Sequence, residues 1–320
     1  MFRAHVVGLF LLTLATAASA QTFPAAPVKL ICDSAPGSAN DVTARVLADK
    51  LSALWKQQVV VVDAPGAGGA IAARMAAASA PDGYTLFLPV TSEFYALAGA
   101  PDVATNLPLI LERDFKSVGF VNAQPLYMAA SPKARFKNVA EMLDVARANP
   151  NSISYATTGR GRLTHLAMEL LQKVTHTKFQ MVGYSGGATQ AMPDVNDGRV
   201  ELVLEAYAGL APMIKGGLLR GIGTTSAQRQ PAIPDIPAIA ETVPGFEVIA
   251  WGILVAPLGT PDALINKINA DLKIVQADSD LIKSFAQNGG QTRYMTPAEL
   301  TAFVAAEQAK MLPILAQAMK

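Results

Sequence analysis

Two residue patterns in this chain have the spacing of catalytic motifs. Gly183-Tyr184-Ser185-Gly186-Gly187 reads G-x-S-x-G, the tight strand-to-helix turn that exposes a nucleophilic serine. That chemistry places an acid and then a histidine after the serine. His165 and His176 both precede Ser185, and no histidine follows it. Gly66-Ala67-Gly68 opens like a dinucleotide turn, but the third required position is Ile71 rather than a small residue. Zinc needs at least three good ligands close together, and the sequence shows no such cluster. Cys32 is the only cysteine, inside the apolar run Val28-Lys29-Leu30-Ile31-Cys32. It reads as a small buried hydrophobe. No metal, cofactor or internal disulfide is expected.

The chemistry the residues do offer is anion recognition. Four strand-to-helix loops are rich in Gly, Ser or Thr: Pro36–Asp41, Thr91-Ser92, Thr157–Arg162 and Tyr184–Ala188. A helix N-terminus presents unpaired N–H groups and a positive dipole end. Any α/β protein needs such caps, so no single loop carries weight; four feeding one cleft do. Arg160 and Arg162 stand in the third loop, and guanidinium forks match carboxylates in a bidentate way. Glu205 ends an apolar strand as an arginine partner or a water anchor. One arrangement pairs Arg160 with Glu205 and leaves Arg162 in solvent; the other puts an arginine on a ligand. His165, one turn into the following helix, reads as a core or capping histidine, and Trp251 as packing at a crossing.

These loops need a scaffold of alternating strands and helices. Val28–Cys32, Val59–Asp63 and Thr85–Val90 read as strands, separated by helices over Val42–Trp55 and up to Ala80. The rhythm resumes with Tyr127–Ala130, Ser154–Ala156, Phe179–Tyr184, Val200–Leu204 and Gly221–Thr225, with helices over Val139–Ala148 and Thr164–Val174. Phe246–Val255 is again strand-like, and only helices follow. Such alternation predicts parallel α/β layers. Ligands in such sheets sit beyond the carboxyl ends of the strands. The expected organisation is two lobes, 21–121 with 250–320 and 122–249, crossed near Val121–Pro125 and near Glu247–Trp251.

Residues 1–20 read as a cleavable signal. Arg3 and His5 precede the apolar run Val6–Leu14, and Ala18-Ser19-Ala20 fits signal peptidase. The run is too short for an anchored span, so a soluble periplasmic protein is expected. The chain has 26 basic and 25 acidic residues, and removing Arg3 with the signal leaves a formally neutral chain. A broad nucleic-acid footprint, which needs a basic face, is not expected.

From about Pro27 to the C-terminus the chain resembles the extracytoplasmic solute-binding proteins of tripartite tricarboxylate transporters, the Bug family. The blocks that carry the likeness include Pro36-Gly37 with Asp41, Pro65-Gly66-Ala67-Gly68-Gly69, and Pro81-Asp82-Gly83-Tyr84-Thr85-Leu86. Further blocks are Gly159, Gly161 and His165-Leu166; Tyr184 with Gly186; Lys215-Gly216-Gly217-Leu218-Leu219-Arg220; Pro234-Asp235-Ile236-Pro237; and Trp251 with Ala256-Pro257. The resemblance implies a type II periplasmic-binding fold that closes on a small organic anion and holds one carboxylate with backbone amides of two loops. Carried onto this chain, those loops hold Ser38, Ala39, Asn40 and Asp41, and Thr157, Thr158, Gly159, Arg160 and Arg162 ahead of His165. Tyr184, Ser185, Gly186, Gly187 and Ala188 lie opposite, and Ser92 opens the helix after the third strand.

Three departures from the family pattern fall in this pocket. Ser38 and Ala39 replace two glycines, Arg160 and Arg162 replace small polar residues, and Glu205-Ala206-Tyr207 stands where Asp-Asn is usual. They point to a second acidic group on the ligand, with aromatic wall space from Tyr184, Tyr207 or Phe94. The expectation is a monomeric binding protein for a small carboxylate, a dicarboxylate and one that an aromatic body would suit, serving membrane transporter subunits. A secreted serine esterase using Ser185, or a sensor-only binding protein, is the alternative.

Overall fold

The computed structural model describes residues 23–95, 108–157, 159–184, 188–287 and 289–318. The expected signal, Thr158, Ser185, Gly186 and Gly187 lie outside the described residues. β1 (Val28–Cys32), α1 (Ala39–Trp55), β2 (Val59–Asp63), α2 (Ala70–Ala77), β3 (Thr85–Leu88) and α3 (Ser92–Tyr95) build the first half. β1 runs parallel to both β2 and β3. Ala44, Leu47, Ala48, Leu51 and Trp55 recur at helical spacing and are all buried on one side of α1, the stripe an amphipathic helix lays on a sheet.

β4 (Phe115–Ala130) leads into the second half, made of α4 (Val139–Ala148), β5 (Ser154–Thr157), α5 (Leu163–Thr175), β6 (Gln180–Gly183), α6 (Ala188–Asn196), β7 (Leu202–Ala206), α7 (Tyr207–Lys215) and β8 (Arg220–Thr224). Here β5 runs parallel to β6 and β7. The chain returns through β9 (Ile249–Pro257) and ends in α8 (Asp262–Gln276), α9 (Ser279–Ala286) and α10 (Pro297–Ala318). α8 packs on α1, where Trp55 Nε1 donates to Asp271 Oδ2 at 2.6 Å. α10 lies along β4 and touches α3 and α5.

β4 joins the halves. Phe115–Pro125 pairs antiparallel with β9, and Leu126–Ala130 with β7 and β8. The strand order is β2-β1-β3-β9-β4-β7-β5-β6, with β8 on β4. The two crossings are direct neighbours, with Ala123 opposite Trp251, Gln124 opposite Ala250 and Pro125 opposite Ile249. Two parallel α/β lobes therefore meet at a pair of antiparallel strands, and the carboxyl ends of β1, β3, β5 and β6 lead into the loops singled out above.

Candidate functional site

On the first lobe, Asp33 follows β1 and ties three loops together. Its carboxylate accepts from Ser34 Oγ at 2.9 Å, Asn40 Nδ2 at 2.9 Å and the Val90 N–H at 3.2 Å. Asn40 Nδ2 also donates to the Leu88 carbonyl at 3.1 Å, so this side chain is spent on the scaffold. Ser38 caps α1, and its Oγ accepts from the Asp41 N–H at 3.3 Å. Asp41 reaches back to the Gly37 N–H at 2.7 Å and pairs with Arg45 Nε at 2.7 Å. Burial opposes its charge, but the Gly37 N–H and Arg45 outweigh it and hold the carboxyl below its usual range. The backbone N–H groups of Ala39 and Asn40 have no acceptor among the described residues. They form the anion-ready end of α1.

Ser92 is buried and opens α3, and beside it stands a residue the sequence reading missed. Glu93 is fully buried, and neither of its carboxyl oxygens has a partner with hydrogen-bond geometry. It fits because Gly69 has no side chain: a Cβ there would lie 2.1 Å from Glu93 Oε1. Burial, reinforced by the neighbouring Asp33, pushes the Glu93 carboxyl well above the usual range, and Arg162 is a charge acting in the other direction.

On the second lobe, Thr157 Oγ1 lies 2.8 Å from Thr164 Oγ1 and closes the loop between β5 and α5. Gly159 at φ +131° and Gly161 at φ +78° supply its two turns, conformations that a side chain would strain. The Gly161 N–H donates to His165 Nδ1 at 3.1 Å. His165 is buried, and burial together with the Arg160 charge lowers its pKa to about 4. Arg162 is the N-cap of α5 in extended conformation and is half-buried, whereas Arg160 is exposed.

The structure reverses the arrangement in which Arg160 pairs with Glu205 and Arg162 faces solvent. Arg160 acts on His165, Glu169 and Tyr155. Arg162 is the arginine whose charge reaches Glu205 at the end of β7 and Glu93 on the other lobe. Glu205 accepts from the Ala206 N–H at 2.8 Å, yet burial still raises its carboxyl pKa. Tyr207 is buried against Tyr127, with ring centroids 5.0 Å apart. The Tyr184 hydroxyl donates to Asp194 at 2.7 Å, so its polar end is turned to α6. Ala188 begins α6. The candidate site combines the start of α1, linked through Asp33 to Glu93, with Arg162 and Glu205.

Residues 43–319 match the family model described as the tripartite tricarboxylate transporter family receptor. The chain belongs to this receptor family. It is 32% identical over 305 residues to the protein BugT of Bordetella pertussis, covering 94% of this chain and 93% of BugT. Its fold matches the periplasmic binding protein BugD with TM-score 0.78 and 27% identity, over 92% of this chain and 98% of that one. It also matches R. palustris Rpa4515, solved with adipate, with TM-score 0.82 and 25% identity over 92% and 98% of the two chains. The two-lobed architecture is the periplasmic-binding fold, and the Bug-family resemblance drawn from the sequence holds. No helix among the described residues is long and apolar enough to cross a membrane.

Proposed function

We propose that this receptor captures a small organic dicarboxylate in the periplasm, as a monomer, for hand-over to the membrane subunits of a tripartite transporter. The observation that carries the reading is Arg162. It is the half-buried cation of the loop that caps α5, and its charge reaches acids of both lobes. One ligand carboxylate sits on the N–H groups of Ala39 and Asn40. The second sits on Arg162. Burial raises the carboxyl pKa of both Glu93 and Glu205, which weakens their hold on the guanidinium. The relative solved with adipate supports a ligand with two carboxylates.

Lobes 21–121 with 250–320 and 122–249 close on the ligand about their paired crossings. The receptor family supports binding over ester hydrolysis, and the histidine nearest the site, His165, has its Nδ1 occupied by the Gly161 N–H.

A charge-assisted hydrogen bond contributes about 1.5–3 kcal/mol against about 1 for a neutral one. Calorimetry with adipate and with hexanoate tests the reading. Arg162→Ala should weaken adipate by about tenfold or more and barely change hexanoate, while Arg160→Ala leaves both alone. Equal losses for the two ligands, or no loss in Arg162→Ala, rule out the second-carboxylate role.

A further inference from the structure

A cavity of about 190 Å³ lies beside the crossing strands, on the side covered by α10. None of the strand-end loops lines it. Its apolar wall is built of three rings: Phe120 of β4, Trp251 of β9 and Phe303 of α10. The volume equals about six waters at about 30 Å³ each, room for one small ring with a polar substituent.

Charges around this cavity are not equivalent. Glu307 accepts from the Tyr95 hydroxyl at 3.1 Å, and Lys310 stands 4.0 Å from it. These two groups answer each other. Arg293 has no acid within ion-pair distance among the described residues. Its guanidinium carbon instead lies 5.2 Å from the ring centres of both Phe120 and Phe303. The two rings hold the exposed guanidinium at this edge of the cavity, and its N–H groups have no hydrogen-bond acceptor among the described residues. A ligand cation would have to displace it, whereas a carboxylate would meet an arginine fork that no protein acid occupies. Glu247 also lines the cavity, which disfavours a second negative charge.

We propose that the receptor carries a second ligand site at its hinge, formed by Phe120, Trp251, Phe303 and Arg293, for a small aromatic monocarboxylate. The ring packs against the three aromatic side chains, and the carboxylate takes the free edge of Arg293. Such a ligand touches both crossing strands at once. Its binding is therefore linked to the relative position of the lobes, and by reciprocity to the affinity of the cleft.

Benzoate is the probe. Trp251 and Trp55 are the two tryptophans of the chain, so in a Trp55→Phe background the emission reports Trp251 alone. Saturation-transfer NMR on the unmodified chain is the second measurement. Benzoate should give a saturable response in the millimolar range or tighter. Arg293→Ala, and Ala123→Leu, which fills the cavity, should each weaken it at least tenfold. Arg162→Ala, which disables the cleft, should leave it unchanged. The proposal is overturned by no saturable response, by equal affinity in Arg293→Ala, or by loss of the response in Arg162→Ala, which would place benzoate in the cleft.

Discussion

The Gly161 N–H donates to His165 Nδ1 at 3.1 Å, which ties the turn before Arg162 to the helix after it. The bond needs a neutral imidazole, because a protonated one has no acceptor. His165 is buried, and its pKa is lowered to about 4. The unfolded chain therefore binds the extra proton first as pH falls. Stability from this group is fully present above about pH 6.5, the unfolded value, and is lost as pH falls toward 4. Over that window the loss is on the order of 3 kcal/mol. Denaturant unfolding at pH 7 and pH 4.5 should show a smaller drop in His165→Asn than in the wild type. Asn offers an acceptor to the loop without titrating in this range, so dicarboxylate binding should survive in it and weaken in His165→Leu. Equal pH slopes in wild type and His165→Asn would refute the assignment.

Gly69 and Glu93 form a second dependent pair. A methyl group on Gly69 would collide with the Glu93 carboxyl, and the backbone there is at φ +101°. Gly69→Ala should cost more than the roughly 1 kcal/mol typical of a point mutation. Removing the carboxyl in Gly69→Ala/Glu93→Ala should recover part of the collision and leave the backbone strain. A double-mutant cycle reads this directly as a coupling energy. Simple additivity of the two losses would mean that the two groups do not meet.

Glu93 also makes a pH prediction of opposite sign to His165. Its carboxyl is held well above the usual range by burial. The folded protein thus keeps a proton that the unfolded chain releases above about pH 4.3. Stability from this site is highest below that value and declines as pH rises toward the folded value. Glu93→Gln is isosteric and cannot ionise. Its denaturation midpoint should gain on the wild type as pH is raised from 5 to 8. A wild-type advantage that grows over this range would show that Glu93 is charged in the fold.

Much of this architecture is legible in the sequence because local signals and tertiary environment agree. Val28–Cys32, Val59–Asp63 and Val139–Ala148 fall where apolar runs and helical spacing put them. β4 is different. Only Tyr127–Ala130 reads as a strand, whereas the strand begins at Phe115. Gly119, Asn122, Gln124 and Pro125 interrupt the apolar pattern, and the extended chain is held there by pairing with β9, residues far away in sequence. The two arginines show the same limit on a smaller scale. Composition places both in one loop, but only the fold shows that Arg162 is half-buried with its charge felt by Glu205 and Glu93 while Arg160 is exposed. Glu93 escaped notice because a buried acid breaks the rule that periodicity relies on. Its place is visible only when Gly69 is brought against it.

Closure of the lobes is constrained by the pairing of the two crossings. Asn122–Pro125 and Ile249–Gly252 run antiparallel and in register, so neither strand can bend without the other. The register of β4 against β9 shifts between Phe120 and Asn122, which concentrates twist beside this segment. Gly252 sits at that point, and a Cβ there would lie 2.5 Å from Asn122 Oδ1. Asn122 Nδ2 in turn lies 3.5 Å from Thr43 Oγ1 of α1, linking the crossing to the helix whose start is the proposed anion site. Saturating dicarboxylate should reduce the radius of gyration in small-angle scattering, as expected for hinge closure. Gly252→Ala forces Asn122 aside at the bend and should diminish that contraction while leaving the cleft residues intact. An identical contraction in Gly252→Ala would place the pivot elsewhere, and an unchanged radius in the wild type at saturation would exclude ligand-driven closure altogether.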